Sequence, residues 1–150
     1  MLLPALKTKQ LPLIPARYTC DGANISPPIK WQGVPANTAE IDLFLVHTIP
    51  HVVTRGFRYD WAILGLKPTI HELKAGETPA GAVLGRNGQG KVGYSLCPPK
   101  GKTYSYGLLI YASPSLSPYK PGFNPATAIE PTFNKSLGEG LLIHFSYRRR

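Results

Sequence analysis

The chain has 150 residues and a formal net charge of +9, a length that predicts one domain and a charge that draws anions in general. Its 15 glycines and 16 prolines, set against only 17% charged residues, favour many short strands and turns over long helices. The glycines follow no three-residue period, which excludes collagen, and frequent apolar runs exclude a disordered chain.

Residues 1–15 carry Pro4, Pro12 and two lysines, which interrupt any secretory apolar segment. No stretch reaches the ~18 apolar residues of a membrane span. The chain therefore reads as cytoplasmic or as secreted after processing. Cys20 and Cys97 are too few for a disulfide scaffold or a zinc site. They read equally well as one bridge closing a long loop or as two separate thiols.

The first clear strand is "EIDLFLV" at 40–46, with Ile41, Leu43 and Leu45 on one face and Asp42, Phe44 and Val46 on the other. His47 and His51 follow it, four residues apart. Neutral imidazoles ligate zinc, but Ile49 and Pro50 break the extended geometry, and Asp60 is the only further ligand nearby. No metal and no cofactor are expected. "DWAILGL" at 60–66 reads as a strand buried on both faces. A short helical turn is expected from Thr69 to Gly76, with Glu72 at the fourth place.

"GRNGQGKVG" at 85–93 has four glycines and two cations but no G-K-[ST] ending, so it is not a P-loop. It reads as a hairpin or surface loop, with an anion cradle of backbone N–H groups as the sharper alternative. Ser95 lies in no G-x-S-x-G elbow. "YSYGLLIYAS" at 104–113 places Tyr104, Tyr106, Leu108 and Ile110 on one face. A proline-rich loop (113–125) leads to a late helix. There Thr127 and Glu130 form a capping box, Pro131 falls in the first turn, Ile129, Phe133 and Leu137 share a face, and Gly138 is the stop. "LLIHFSYR" closes the chain, with Leu141, Ile143, Phe145 and Tyr147 opposite Leu142, His144, Ser146 and Arg148. Arg148 to Arg150 read as a solvated basic end. The basic residues are otherwise scattered with no aromatic RNP-like motif, so nucleic acid is not the expected partner.

"IPARYTCDGANISPPIKWQGVP" (14–35) then "CPPKG" (97–101) resemble the bacterial members of the phosphatidylethanolamine-binding protein family, also called Raf-kinase-inhibitor-like proteins. The strands and late helix fall in the family's order, so the resemblance covers nearly the whole chain. It implies a mostly-β domain spanning 1–150: a large antiparallel sheet packed on a smaller one, with a short helix near the C-terminus. It also implies a small pocket for phosphate or a phospholipid head group. Family members generally bind ligands or regulate other proteins, some as kinase or protease inhibitors, and are not enzymes.

The pocket signature departs from the family pattern. Val46, His47, Thr48, Ile49 and Pro50 stand where relatives carry Asp-Pro-Asp-Ala-Pro, and Asp60-Trp61 where they carry His-Trp. This suggests that acid and histidine have changed places between two strands, with His47 pairing with Asp60. A lone Asp60 would repel an anion unless Arg55 or Arg58 neutralised it. A surviving pocket should be lined by Val46, His47, Asp60, Cys97, Pro98, Tyr104 and Tyr106, and should take a small molecule or phospho-head-group less polar than the family's ligand, or bind anions weakly. A small hydrolase using His47 and Asp60 is the alternative. A module binding protein partners through the 113–125 loop is a third reading.

Overall fold

In the computed structural model, the described residues are 14–48 and 57–150. His51 and Arg55 lie outside them, as does most of the N-terminal stretch in which no leader was expected. After a 3₁₀ turn at Ala16–Tyr18 come strands β1 (Ile29–Lys30), β2 (Glu40–Thr48), β3 (Phe57–Leu66), β4 (Glu72–Leu73), β5 (Val83–Leu84) and β6 (Thr103–Ser113). Helix α1 (Pro125–Lys135) and strand β7 (Gly138–Arg148) complete the order. Five strands form an antiparallel sheet in the order β5-β3-β2-β6-β7, and β1 pairs with β4 in a small second sheet. The mostly-β architecture of a large sheet on a small one is thus present.

Alternation along the central strand β2 divides the interior into two cores. Ile41, Leu43 and Leu45 pack with Trp61, Ile63, Leu108 and Ile110 against Ile29 and Leu73 of the small sheet. Phe44 and Val46 point the other way, packing with Ala62, Leu64 and Tyr111 against Ala128 of α1. Burial on both faces explains why Phe44 and Val46 are as apolar as Ile41, Leu43 and Leu45, and why residues 61–64 of β3 are apolar without a break. Each fully buried Leu or Ile contributes about 1.5–3 kcal/mol, so this central pair anchors the fold.

Three local expectations are corrected. The helix starts earlier than the Thr127–Glu130 box: Asn124 is the N-cap, accepting from the Ala126 N–H at 3.0 Å, with Pro125 at the first helical position. Asparagine followed by proline is the stronger start, because one supplies the acceptor and the other loses no needed donor. Pro131 consequently falls inside the helix, on its exposed side, and the buried face is Pro125, Ala128 and Thr132, while Phe133 is half exposed. Ser136 caps the C-terminus and Gly138 opens β7. The expected turn at 69–76 instead contains β4, whose Leu73 is drawn into the core beside Ile29. In β7, the register skips between Leu108 and Leu109, which pair with Ile143 and Leu141 and leave Leu142 unpaired. Leu142 and Ile143 therefore both enter the inter-sheet core, while Leu141 is 48% exposed. His144 is exposed.

Candidate functional site

The last described turn of the β2–β3 pair carries the polar site. His47 lies opposite Arg58 on β3 and Tyr106 on β6. Leu45 pairs with Trp61 and Val46 with Tyr59, so Asp60 is an extra residue in β3, a β-bulge. A bulge of this kind re-aims a side chain that strict alternation would send elsewhere. Here Asp60 Oδ2 lies 2.6 Å from His47 Nδ1, with the side chains only 6% and 13% exposed. Burial pushes the Asp60 carboxyl above the ordinary aspartate value, and the hydrogen bond and charge of His47 pull partly against it. A buried carboxylate on Nδ1 fixes the imidazole orientation and leaves Nε2 as the ring atom to meet a ligand.

Aromatic rings wall this pair. Tyr104 meets the His47 ring edge-on at 5.6 Å, and Tyr106 lies tilted against it at 5.1 Å. Tyr106 stacks on Phe145 of β7, and Trp61 meets Tyr94 edge-on. Burial, reinforced by the charge of Asp60, raises the phenols of Tyr94 and Tyr106 above the usual range, so both are neutral at physiological pH. The Tyr94 hydroxyl donates to the Tyr18 carbonyl at 2.5 Å. The Tyr106 hydroxyl is buried and has no hydrogen-bond partner among the described residues, an arrangement that costs about 1–3 kcal/mol unless a water or ligand atom completes it.

The segment from Tyr94 to Pro98 is bound to its surroundings at several points. Ser95 N–H donates to the Asp60 carbonyl at 2.9 Å, which ties this segment to the bulge. Asn24, in a left-handed conformation at φ 56° that asparagine tolerates, accepts from Leu96 N–H at 2.9 Å and donates to Ser95 Oγ at 3.0 Å. Cys20 and Cys97 are joined in a disulfide, resolving the alternative left open by the sequence. Pro98 is buried beside it.

The structure thus gathers His47, Asp60, Tyr104 and Tyr106, and joins Asp60 to the segment bearing Cys97 and Pro98. Val46 is not part of this group: alternation places it in the opposite core with Phe44 and Ala62. Arg58 is exposed and forms no ion pair with Asp60 among the described residues; His47 is the neutralising partner instead. The glycine-rich loop is a closed hairpin and not an anion cradle. Asn87 Oδ1 accepts from Gln89 and Lys91, Asn87 and Gly90 N–H bond within the loop, and Gly88 N–H goes to Tyr59. Tyr94 and Phe145 were not foreseen; Tyr94 is adjacent in sequence to Ser95, but nothing in a single sequence reveals the ring stack across β6 and β7. No group of three or more His, Cys, Asp or Glu suited to a metal occurs among the described residues, nor any helix long and apolar enough to cross a membrane.

A second buried polar cluster lies on the helix side of β2. Glu40 and Asp42 are 2% and 0% exposed. Asp42 accepts from Ser113 Oγ at 2.8 Å and from Gly65 N–H at 3.1 Å, and Glu40 accepts from both Ser117 N–H and Ser117 Oγ. Burial, then the hydrogen bond and charge of Glu40, push the Asp42 carboxyl up to about 8. Burial alone would raise Glu40 as well, but bonds from Asp42 and Ser117 hold it below its ordinary value. Asp42 is accordingly the member that keeps a proton.

Comparison with known proteins places this architecture. The family model described as phosphatidylethanolamine-binding protein matches residues 6–145. The chain belongs to that family. A UPF0098 protein of Methanothermobacter thermautotrophicus is 37% identical over 142 residues, covering 91% of each chain. Two mycobacterial family relatives are longer, and this chain spans 64% and 50% of them. Among solved structures, the Chlamydia trachomatis homologue CT736 superposes with a TM-score of 0.83 over 97% of both chains at 24% identity. Escherichia coli YbcL, described as a new member of the mammalian family, gives 0.83 at 22% identity, covering 97% of this chain and 98% of its own. These two matches are matches of fold.

Proposed function

We propose that the chain is a non-enzymatic ligand-binding protein of the phosphatidylethanolamine-binding type, with its binding centre rebuilt around His47 and Asp60. The observation that supports this reading is the 2.6 Å contact between His47 Nδ1 and Asp60 Oδ2, the pairing expected if acid and histidine have changed places between these strands. With Asp60 on Nδ1, the ring is held so that Nε2 is its polar atom toward a ligand oxygen. Tyr104 and Tyr106 form the walls, and the unpartnered Tyr106 hydroxyl supplies a second polar point. Such a site suits one phosphate oxygen on an otherwise apolar or aromatic body better than free phosphate, because one donor pair among rings cannot replace a full hydration shell. Any kinase- or protease-inhibitor role belongs to this reading as a consequence of ligand binding.

A thermal-shift screen tests it with inorganic phosphate, phosphoethanolamine, nucleotides and aryl phosphates. Stabilisation by an aryl phosphate or phosphoethanolamine, lost in His47→Ala, supports the reading. Equal stabilisation of His47→Ala and the parent rejects it.

A further inference from the structure

Away from His47, the space between the two sheets opens to the outside. Tyr18, Ile29 of β1, Leu73 of β4, and Leu142 and Ile143 of β7 line a cavity of about 510 Å³, within the size range of small-molecule sites. The floor depends on the bulge in β7. With Leu142 outside the regular ladder, two consecutive branched side chains face inward where a plain strand would offer one.

The rim has a different chemistry. Lys30, Glu72 and Lys74 border the opening. Lys30 and Glu72 make a loose ion pair at 3.7 Å with both side chains exposed. Lys74 forms no ion pair among the described residues. Arg17 stands over the ring of Tyr18 at 5.0 Å, adding a further cation beside the wall. An apolar interior under a cationic edge is complementary to one kind of small molecule: a monoanion with an apolar tail.

We propose that this cavity is a second ligand site for a linear alkyl carboxylate, its tail against Leu73, Leu142 and Ile143 and its carboxylate at Lys74. The apolar floor supplies affinity in proportion to the methylenes it buries, and the rim charge selects anion over alcohol. The site shares none of the residues proposed around His47, so it stands or falls separately from that reading.

Titration calorimetry on the full chain tests this with decanoate, decanol and acetate. Decanoate is expected to bind saturably, decanol more weakly, and acetate not at all. Lys74→Glu, a surface change that leaves the core intact, should weaken decanoate about fivefold while leaving decanol unchanged. Ala75→Phe, at a half-buried position on the cavity wall, should remove binding of both, and His47→Ala should alter neither. Absence of saturable decanoate binding overturns the proposal. So does binding lost in His47→Ala but kept in Ala75→Phe, and so does equal affinity for decanoate and decanol.

Discussion

Asp60 reaches His47 because β3 carries an unpaired residue between Trp61 and Tyr59, so the 2.6 Å contact at the centre of the site depends on an irregularity of the backbone. The pair is nearly enclosed, and its two members answer for each other. Removing His47 strips Asp60 of the partner that lowers its raised carboxyl. The folded-state value then climbs further, and the stability tied to protonated Asp60 is lost as pH rises above the ordinary aspartate range. His47→Ala should therefore cost about 1–3 kcal/mol at pH 8, where the buried charge is unpaired, and less at pH 5. Urea unfolding at the two pH values measures this; an equal cost at both would show that the pair carries no charge coupling.

Asp42 gives a pH effect of its own. With its carboxyl at about 8 when folded and about 4 when unfolded, the native state holds a proton that the unfolded state lacks between those values. Stability falls as pH rises through that window. Glu40, held low, acts in the opposite sense and only on the acid side. Asp42→Asn cannot titrate and still offers a carbonyl to Gly65 N–H, so its unfolding free energy should change less between pH 5 and pH 8. A slope equal to the parent's would refute the shared proton.

The disulfide spans 77 residues of sequence. Closing a loop of that length in the unfolded chain contributes about 4 kcal/mol in the chain-entropy treatment. Cys20→Ser with Cys97→Ser should lower the denaturation midpoint accordingly. The Tyr94–Pro98 segment remains tied by Asn24 and Asp60, so the native sheet content by circular dichroism should persist.

Tyr106→Phe separates structure from binding. The hydroxyl has no partner to lose, so the unliganded variant should be as stable as the parent or more stable, within about 1 kcal/mol. If the hydroxyl meets ligand, the same variant loses affinity for the phosphorylated probe. A marked loss of stability without ligand would mean that an ordered water already satisfies the group.

The strand faces were legible because the apolar run at 41–46 is too short for a helix, and in an extended chain alternation sends Ile41, Leu43 and Leu45 to one side and Phe44 and Val46 to the other. The bulges at Asp60 and Leu142 were not. Leu141, Leu142 and Ile143 are all apolar, so period-two reading offers no hint that Leu141 turns outward and Leu142 inward. Asp60 beside Trp61 carries no mark of an unpaired position either. Placing Val46 in the site followed from treating five consecutive residues as one signature, when alternation sends neighbours to opposite faces. The helix start was misplaced because two capping signals overlap within four residues, and only packing of Pro125 and Ala128 chooses between them. His47 and Asp60 came within view because residues at adjacent strand ends are brought together by pairing alone.

Strand β2 carries acids toward the helix and a histidine toward the small sheet. A slip of one residue during assembly would exchange those faces, driving Glu40 and Asp42 against Ile29 and Trp31 and leaving His47 among Phe44's neighbours. Each misplaced charge would cost several kcal/mol, of the same order as a whole domain's net stability. The polar residues of β2 therefore act as a proofreading device for strand alignment, and insertions or deletions within 40–47 should be tolerated far less than substitutions there.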